Sequence, residues 1–198
     1  MSKSESIKVS GWAFVAGAFA FITILSSSHT IQNPGSVLSS MLLTVGMSGL
    51  QSAYGERAGS SGRAMLLLGM LGPVIWFIVI ASMAFMHSLG ILTETHVREG
   101  LWVLLFMGPA ISLLGLTLFG LTALVSKPMP RLNWLPLLAG IWYPVAYVLF
   151  SIYDISHKGV FPDQYVPAIV LTVVIQFITL CSLGFTLIED SSKELATA

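Results

Sequence analysis

The chain carries no Asp, Glu, Lys or Arg between Val9 and Gly55, a charge-free run of 47 residues. Four more such runs follow, over 64–93, 100–126, 132–153 and 164–188. A helix needs about 20 apolar residues to cross the roughly 30 Å of hydrocarbon in a bilayer, at about 1.5 Å per residue. Each of the later runs suits one crossing. The first would make a helix of roughly 70 Å and must fold back. Asn33-Pro34-Gly35 is the predicted reversal, because proline ends a helix and Asn and Gly accept turn geometry. Six spans result, at about 10–31, 36–54, 64–87, 100–125, 135–153 and 166–188. The runs are too long for barrel strands, and hydrocarbon offers no partner to an open sheet edge. The expected fold is all-α: a single domain, residues 1–198, forming a bundle of six transmembrane helices.

Composition agrees. Charged residues make up 9% of the chain, nine of each sign, against 55% hydrophobic. A soluble domain carries about 25%. That excludes a soluble globular domain, a disordered tail and a nucleic-acid binder working through a basic face. A single cysteine, Cys181, excludes an internal disulfide framework, a CxxC pair and a cysteine-built zinc site.

Lys and Arg set the orientation. Lys3, Lys8, Arg57, Arg63, Lys127, Arg131 and Lys193 fall on the side that holds both termini, and only Arg98 and Lys158 on the other. Short cytoplasmic segments accumulate Lys and Arg, so both termini are expected in the cytoplasm and the protein in the plasma membrane. Trp12, Tyr54 and Trp134 fall at the inner boundary, and Trp102, Tyr153 and Tyr165 at the outer. Lys3 and Lys8 ahead of an apolar run imitate a secretion signal, but no small-x-small cleavage site follows and the first helix is expected to stay.

Small and polar residues recur at helical spacing. Ser36, Ser40, Thr44, Ser48 and Ser52 form an i, i+4 ladder in the second span. Ala13, Gly17, Ala20 and Ser27 do so in the first, and Gly108, Ser112, Gly115 and Thr122 in the fourth. Tyr143, Tyr147 and Ser151 lead to Asp154 in the fifth, and Thr172, Gln176, Thr179 and Thr186 mark the sixth. Membrane helices associate through close backbone approach and interhelical hydrogen bonds, so the stripes are expected to face inward. The alternative is that they line a mildly polar path or ligand cavity. Pro73, Pro109 and Pro144 lie inside spans, two of them in the near-repeats Gly72-Pro73-Val74-Ile75 and Gly108-Pro109-Ala110-Ile111. Each removes one backbone hydrogen bond. They are read as kinks, with a substrate site built from broken helices as the alternative.

Chemistry is sparse. No ionisable group sits at mid-span, which argues against a carboxylate-driven carrier, and no span holds a lysine for a retinal Schiff base. Four histidines fall on the outer side. His29 and His87, at similar depth, could be axial ligands of a haem. His96 and His157, with Asp154, could hold a divalent metal. Their ordinary role is interfacial, and no HxxxH or HExxH spacing occurs. Gly46-Met47-Ser48-Gly49 matches the GxSG string of rhomboid proteases, but the sixth span has no histidine to act as base. The loop Gly55–Arg63 is glycine-rich, lacks a GK[ST] ending and reads as a flexible cytoplasmic turn.

Two passages, RAGSSGRAMLLLG from Arg57 and LFGLTALVSKPMPRLNWLPLLAGIW from Leu118, combine a Gly/Arg-rich turn with a Pro-Arg-x-x-Trp start to an apolar helix. In this the chain resembles uncharacterised small multi-helix bacterial integral membrane proteins. The resemblance implies a bacterial plasma membrane and assigns no activity, cofactor or catalytic residue. Function is expected to be that of a non-catalytic accessory or scaffolding subunit packed against a larger membrane complex. The alternatives are a carrier or channel for a small neutral or hydrophobic solute, and a haem or metal protein using the outer histidines. No cofactor is required by the sequence. The expected partners are the lipid bilayer and other membrane subunits or a second copy, with no nucleic acid.

Overall fold

The computed structural model describes residues 2–22, 29–91, 94–142 and 166–196. They form helices and short connections, with no strand among the described residues. In chain order the helices are α1 (Lys3–Ile22), α2 (His29–Tyr54), α3 (Gly59–Ser88), α4 (Glu94–Ser126), α5 (described over 135–142) and α6 (Val166–Ala196).

The helices pack in antiparallel neighbours. α1 lies between α2 and α6, and α3 packs along α4, with α2 bridging the two groups. Glycines set the register. Gly46 and Gly49 of α2 meet Phe14 and Ser10 of α1, and Gly11 of α1 meets Gly184 of α6. Gly69 of α3 meets Gly115 of α4, and Gly120 and Gly140 join α4 to α5. At Gly72, an added Cβ would lie 2.6 Å from the Gly108 carbonyl oxygen. The two Gly-Pro phrases of the sequence therefore face one another across the α3–α4 crossing. Pro73 is buried there, within an unbroken α3. Around these contacts Phe14, Phe21, Leu43, Met47, Leu66, Leu116, Phe119 and Leu183 form the core.

Three boundaries differ from the sequence expectation. The reversal at Asn33-Pro34-Gly35 does not occur: α2 begins at His29 and runs through these residues. Pro34 is the sixth residue of α2, where it removes one i→i−4 bond without ending a helix of 26 residues. The glycine-rich turn is also shorter than expected. Only residues 55–58 connect α2 to α3, and Gly59-Ser60-Ser61-Gly62-Arg63 already belongs to α3. Gly59 makes the bend with a φ of 75°, open to a residue without a side chain. Finally, α3, α4 and α6 have 30, 33 and 31 residues and extend beyond the spans read from charge alone.

α3 ends in a Schellman motif. The Ile91 N–H donates to the Met86 carbonyl and the Gly90 N–H to the His87 carbonyl, with Gly90 at φ 71°. By length and composition, two described helices could cross a membrane: Lys3–Ile22 and, within α6, Val170–Ser192.

Candidate functional site

Four side-chain hydrogen bonds cross between described helices. Ser39 Oγ of α2 donates to the Gly17 carbonyl of α1 at 3.0 Å, and Ser4 Oγ of α1 to the Ser191 carbonyl of α6 at 2.9 Å. Gln176 Nε2 of α6 donates to the Ala139 carbonyl of α5, and the Tyr54 hydroxyl of α2 to Asp190 Oδ2 of α6. Most other hydroxyls are spent on their own helix. Thr44 donates to the Ser40 carbonyl, Ser48 to Val45, Thr117 to Leu113 and Thr179 to Ile175.

The stripes accordingly separate. In α2, Ser40 is buried, Thr44 half-buried, and Ser48 and Ser52 exposed. At 3.6 residues per turn an i, i+4 row advances about 40° around the helix per step, so it cannot keep one face over four steps. Gly108, Ser112, Gln176 and Thr179 are buried and Thr172 is half-buried. Gly72, Pro73, Gly108 and Ser112 come together at the α3–α4 crossing, whereas Gln176 lies apart from them against α5. Among the described residues, three buried polar atoms have no hydrogen-bond partner: Ser40 Oγ, Ser112 Oγ and Gln176 Oε1. The GxSG string is a packing surface, its glycines receiving Phe14 and Ser10 while Ser48 faces out.

Of the outer histidines, His87 is exposed at the end of α3. The backbone puts His29 at the start of α2 and His96 in the first turn of α4, but their side chains lie outside the described residues, as does that of Pro109. His157, Asp154, Tyr143, Pro144 and Tyr147 lie wholly outside them. Among the described residues no three His, Cys, Asp or Glu side chains converge as a metal cluster would require.

The opposite end of the bundle holds a cleft of about 310 Å³ that the sequence did not reveal. Ile7 of α1, Ala53 and Tyr54 of α2, and Asp190 and Ser191 of α6 form its walls. Arg57, from the α2–α3 connection, and Pro130 and Arg131, from the α4–α5 connection, complete it. The α4–α5 connection is rigidly shaped. Met129 is buried, and Asn133 clamps it twice: Oδ1 accepts the Met129 N–H and Nδ2 donates to the Met129 carbonyl, each at 3.0 Å. Leu132, at φ 57°, holds a left-handed conformation that costs a non-glycine residue about 1–2 kcal/mol and that the clamp stabilises. Counting Lys and Arg assigns Arg57 and Arg131 to one side; their convergence depends on connections whose geometry no periodicity encodes.

These features define an all-helical protein with two helices that could span a membrane. No protein-family model, curated protein or solved structure matches the chain.

Proposed function

We propose that the chain is a polytopic protein of the plasma membrane with six transmembrane helices and both termini cytoplasmic. It serves as a non-catalytic accessory or scaffolding subunit packed against a larger membrane complex. The observation that carries this reading is the amount of large apolar surface turned outward while several polar side chains are buried. Phe19, Ile78, Phe85 and Leu171 are 58–64% exposed, while Ser39, Ser40, Ser112 and Gln176 are 0% exposed. Large apolar side chains also point outward from α2 and α4, at Met41, Leu114 and Leu121. Water penalises so much outward apolar surface; lipid or an apolar partner does not. The charge-free runs within α3 and α4 extend the same argument to helices beyond the two that meet the length criterion unaided. Glycine-to-backbone crossings leave little width for a solute between α3 and α4 or between α1 and α6, which favours a packing role over a transport path.

Native mass spectrometry of the protein, extracted from its own membrane in mild detergent, tests this. A mass well above 21.3 kDa with defined additional polypeptides is the expected result. A lone protomer or homo-oligomer would overturn the accessory reading. One observation favours a second reading, a carrier for a small neutral solute: the unpartnered Ser40 Oγ, Ser112 Oγ and Gln176 Oε1 could bind polar groups of a solute. Under that reading Gln176→Leu abolishes solute flux and leaves assembly intact; under the accessory reading it weakens only the α5–α6 contact.

A further inference from the structure

We propose that the cleft between Arg57 and Arg131 binds a phosphate-bearing anion, with the headgroup of an anionic phospholipid in the adjoining leaflet as its source. Only that source depends on the membrane reading; the cleft and its chemistry do not.

A guanidinium presents a planar fork of N–H donors that matches two phosphate oxygens, and two forks lining one cleft could share one phosphate. Arg57 and Arg131 are exposed and come from separate connections whose backbone is fixed by neighbouring residues. Arg57 precedes buried Ala58, whose N–H donates to the Tyr54 carbonyl; Arg131 sits within the Asn133 clamp. Neither makes an ion pair with a described residue. Arg63 does, with Glu56 at 3.6 Å, so an acidic partner was open to one arginine of this region and is not used by these two. The one carboxylate in the cleft, Asp190, accepts the Tyr54 hydroxyl, and no described ion pair joins it to either arginine. Two cations against one anion leave a positive cleft.

The remaining walls suit an amphiphile better than a bare ion. Ile7, Ala53 and Pro130 are apolar, and about 310 Å³ exceeds what a phosphate group fills, leaving room for a glycerol-sized substituent. Trp12 and Trp134, both exposed, stand at the same end of the bundle, where aromatic side chains mark the lipid–water interface. Basic pockets between helix ends on the cytoplasmic side are suited to anionic headgroups.

The test uses the full chain in non-ionic detergent, titrated with phosphatidylglycerol, phosphatidylcholine or inorganic phosphate. Native mass spectrometry reads bound lipid, and thermal stabilisation reads phosphate. Selective retention of phosphatidylglycerol, weakened at least tenfold in Arg57→Gln/Arg131→Gln and unchanged in Arg63→Gln, is expected. Arg57→Lys/Arg131→Lys keeps the charge without the fork and should fall between. If the double Gln variant fails to fold, Arg131→Gln alone carries the comparison. Full competition by millimolar inorganic phosphate would support the site and move its source to a soluble phosphate. Equal retention of both lipids with no phosphate effect, or equal loss in Arg63→Gln, would overturn the proposal. Release of the protein from membranes by alkaline carbonate would overturn the membrane reading and leave the phosphate measurement standing.

Discussion

Replacing Gly115 with alanine isolates the contact that holds α3 against α4. The new Cβ would fall well inside contact distance of the Gly69 Cα and N and 2.8 Å from the Met65 carbonyl oxygen. All three are backbone atoms, so no side chain can rotate out of the way. Carbon atoms rest about 3.5–4.0 Å apart, so the helices must separate by about 1 Å along the crossing. Overpacking of this kind costs about 1–3 kcal/mol, and alanine returns up to about 1 kcal/mol through its higher helix propensity. Because every clash is with backbone, the cost should lie near the upper end, about 2–3 kcal/mol, and the net expectation is a loss of about 1–2 kcal/mol. The reciprocal change, Gly69→Ala, behaves differently because its Cβ points elsewhere. It meets the Met47 Sδ at 2.7 Å, the far end of a flexible side chain, the Ser112 carbonyl oxygen at 3.0 Å and the Gly115 Cα at 3.3 Å, so the backbone must give by only a few tenths of an ångström. That variant should lose less than Gly115→Ala, about 0.5–1 kcal/mol, because its backbone contacts are mild and its closest neighbour can rotate away. Unfolding by SDS titration in mixed micelles, followed by circular dichroism, measures both. Gly115→Ala as stable as Gly69→Ala would refute the geometry of the crossing.

Ser39→Ala should cost about 1 kcal/mol by removing the buried bond to the Gly17 carbonyl, while Ser48→Ala, exposed and bonded only to its own helix, should be neutral; the same titration compares them. Gly90→Ala should destabilise by about 1 kcal/mol although nothing lies within 4 Å of the added Cβ, because the left-handed backbone alone opposes it. An unchanged midpoint would contradict the Schellman ending of α3. Asn133→Ala removes both bonds to Met129 and should cost about 1–2 kcal/mol. Limited proteolysis should then cut within 127–134 before any other described connection.

How legible each feature was follows from the physics that encodes it. Apolar runs are written in composition, so the helical character of the chain and the approximate cores of α3, α4 and α6 were readable. The α1–α2 boundary was not. Pro34, the sixth residue of α2, gives up one i→i−4 bond and crowds the turn before it, a local cost of about 3 kcal/mol that a packed helix of 26 residues absorbs, so the proline alone does not mark a boundary. The ladder Ser36 to Ser52 misled for a geometric reason: equal spacing in sequence is not equal azimuth on a helix, and the interhelical donor turned out to be the off-ladder Ser39. The repeated Gly-Pro phrases were visible as strings, yet only the antiparallel register of α3 and α4 brings Gly72 onto Gly108. The arginine cleft needed five elements to converge, and pairwise periodicity carries no information about that.

These contacts also divide the molecule's tasks. Its helices approach closely at glycine and serine around a core of Phe14, Phe21, Met47 and Phe119, so their association depends on shape and on a few hydrogen bonds, with a second set of large apolar side chains turned to the surroundings. A surface of that kind can discriminate among partners only by contour, since Val45, Leu67, Val74, Leu121 and Ile178 offer no directional bond. Directional chemistry is concentrated at the end of the bundle, where Tyr54, Asp190, Arg57 and Arg131 line one cleft. Substitutions that enlarge interior glycines should therefore act on helix association, and loss of a guanidinium should act on what the cleft binds. A variant pair such as Gly115→Ala and Arg131→Gln would then show independent effects, because Gly115 lies roughly 16 Å along α4 from the end of the helix that leads to Arg131.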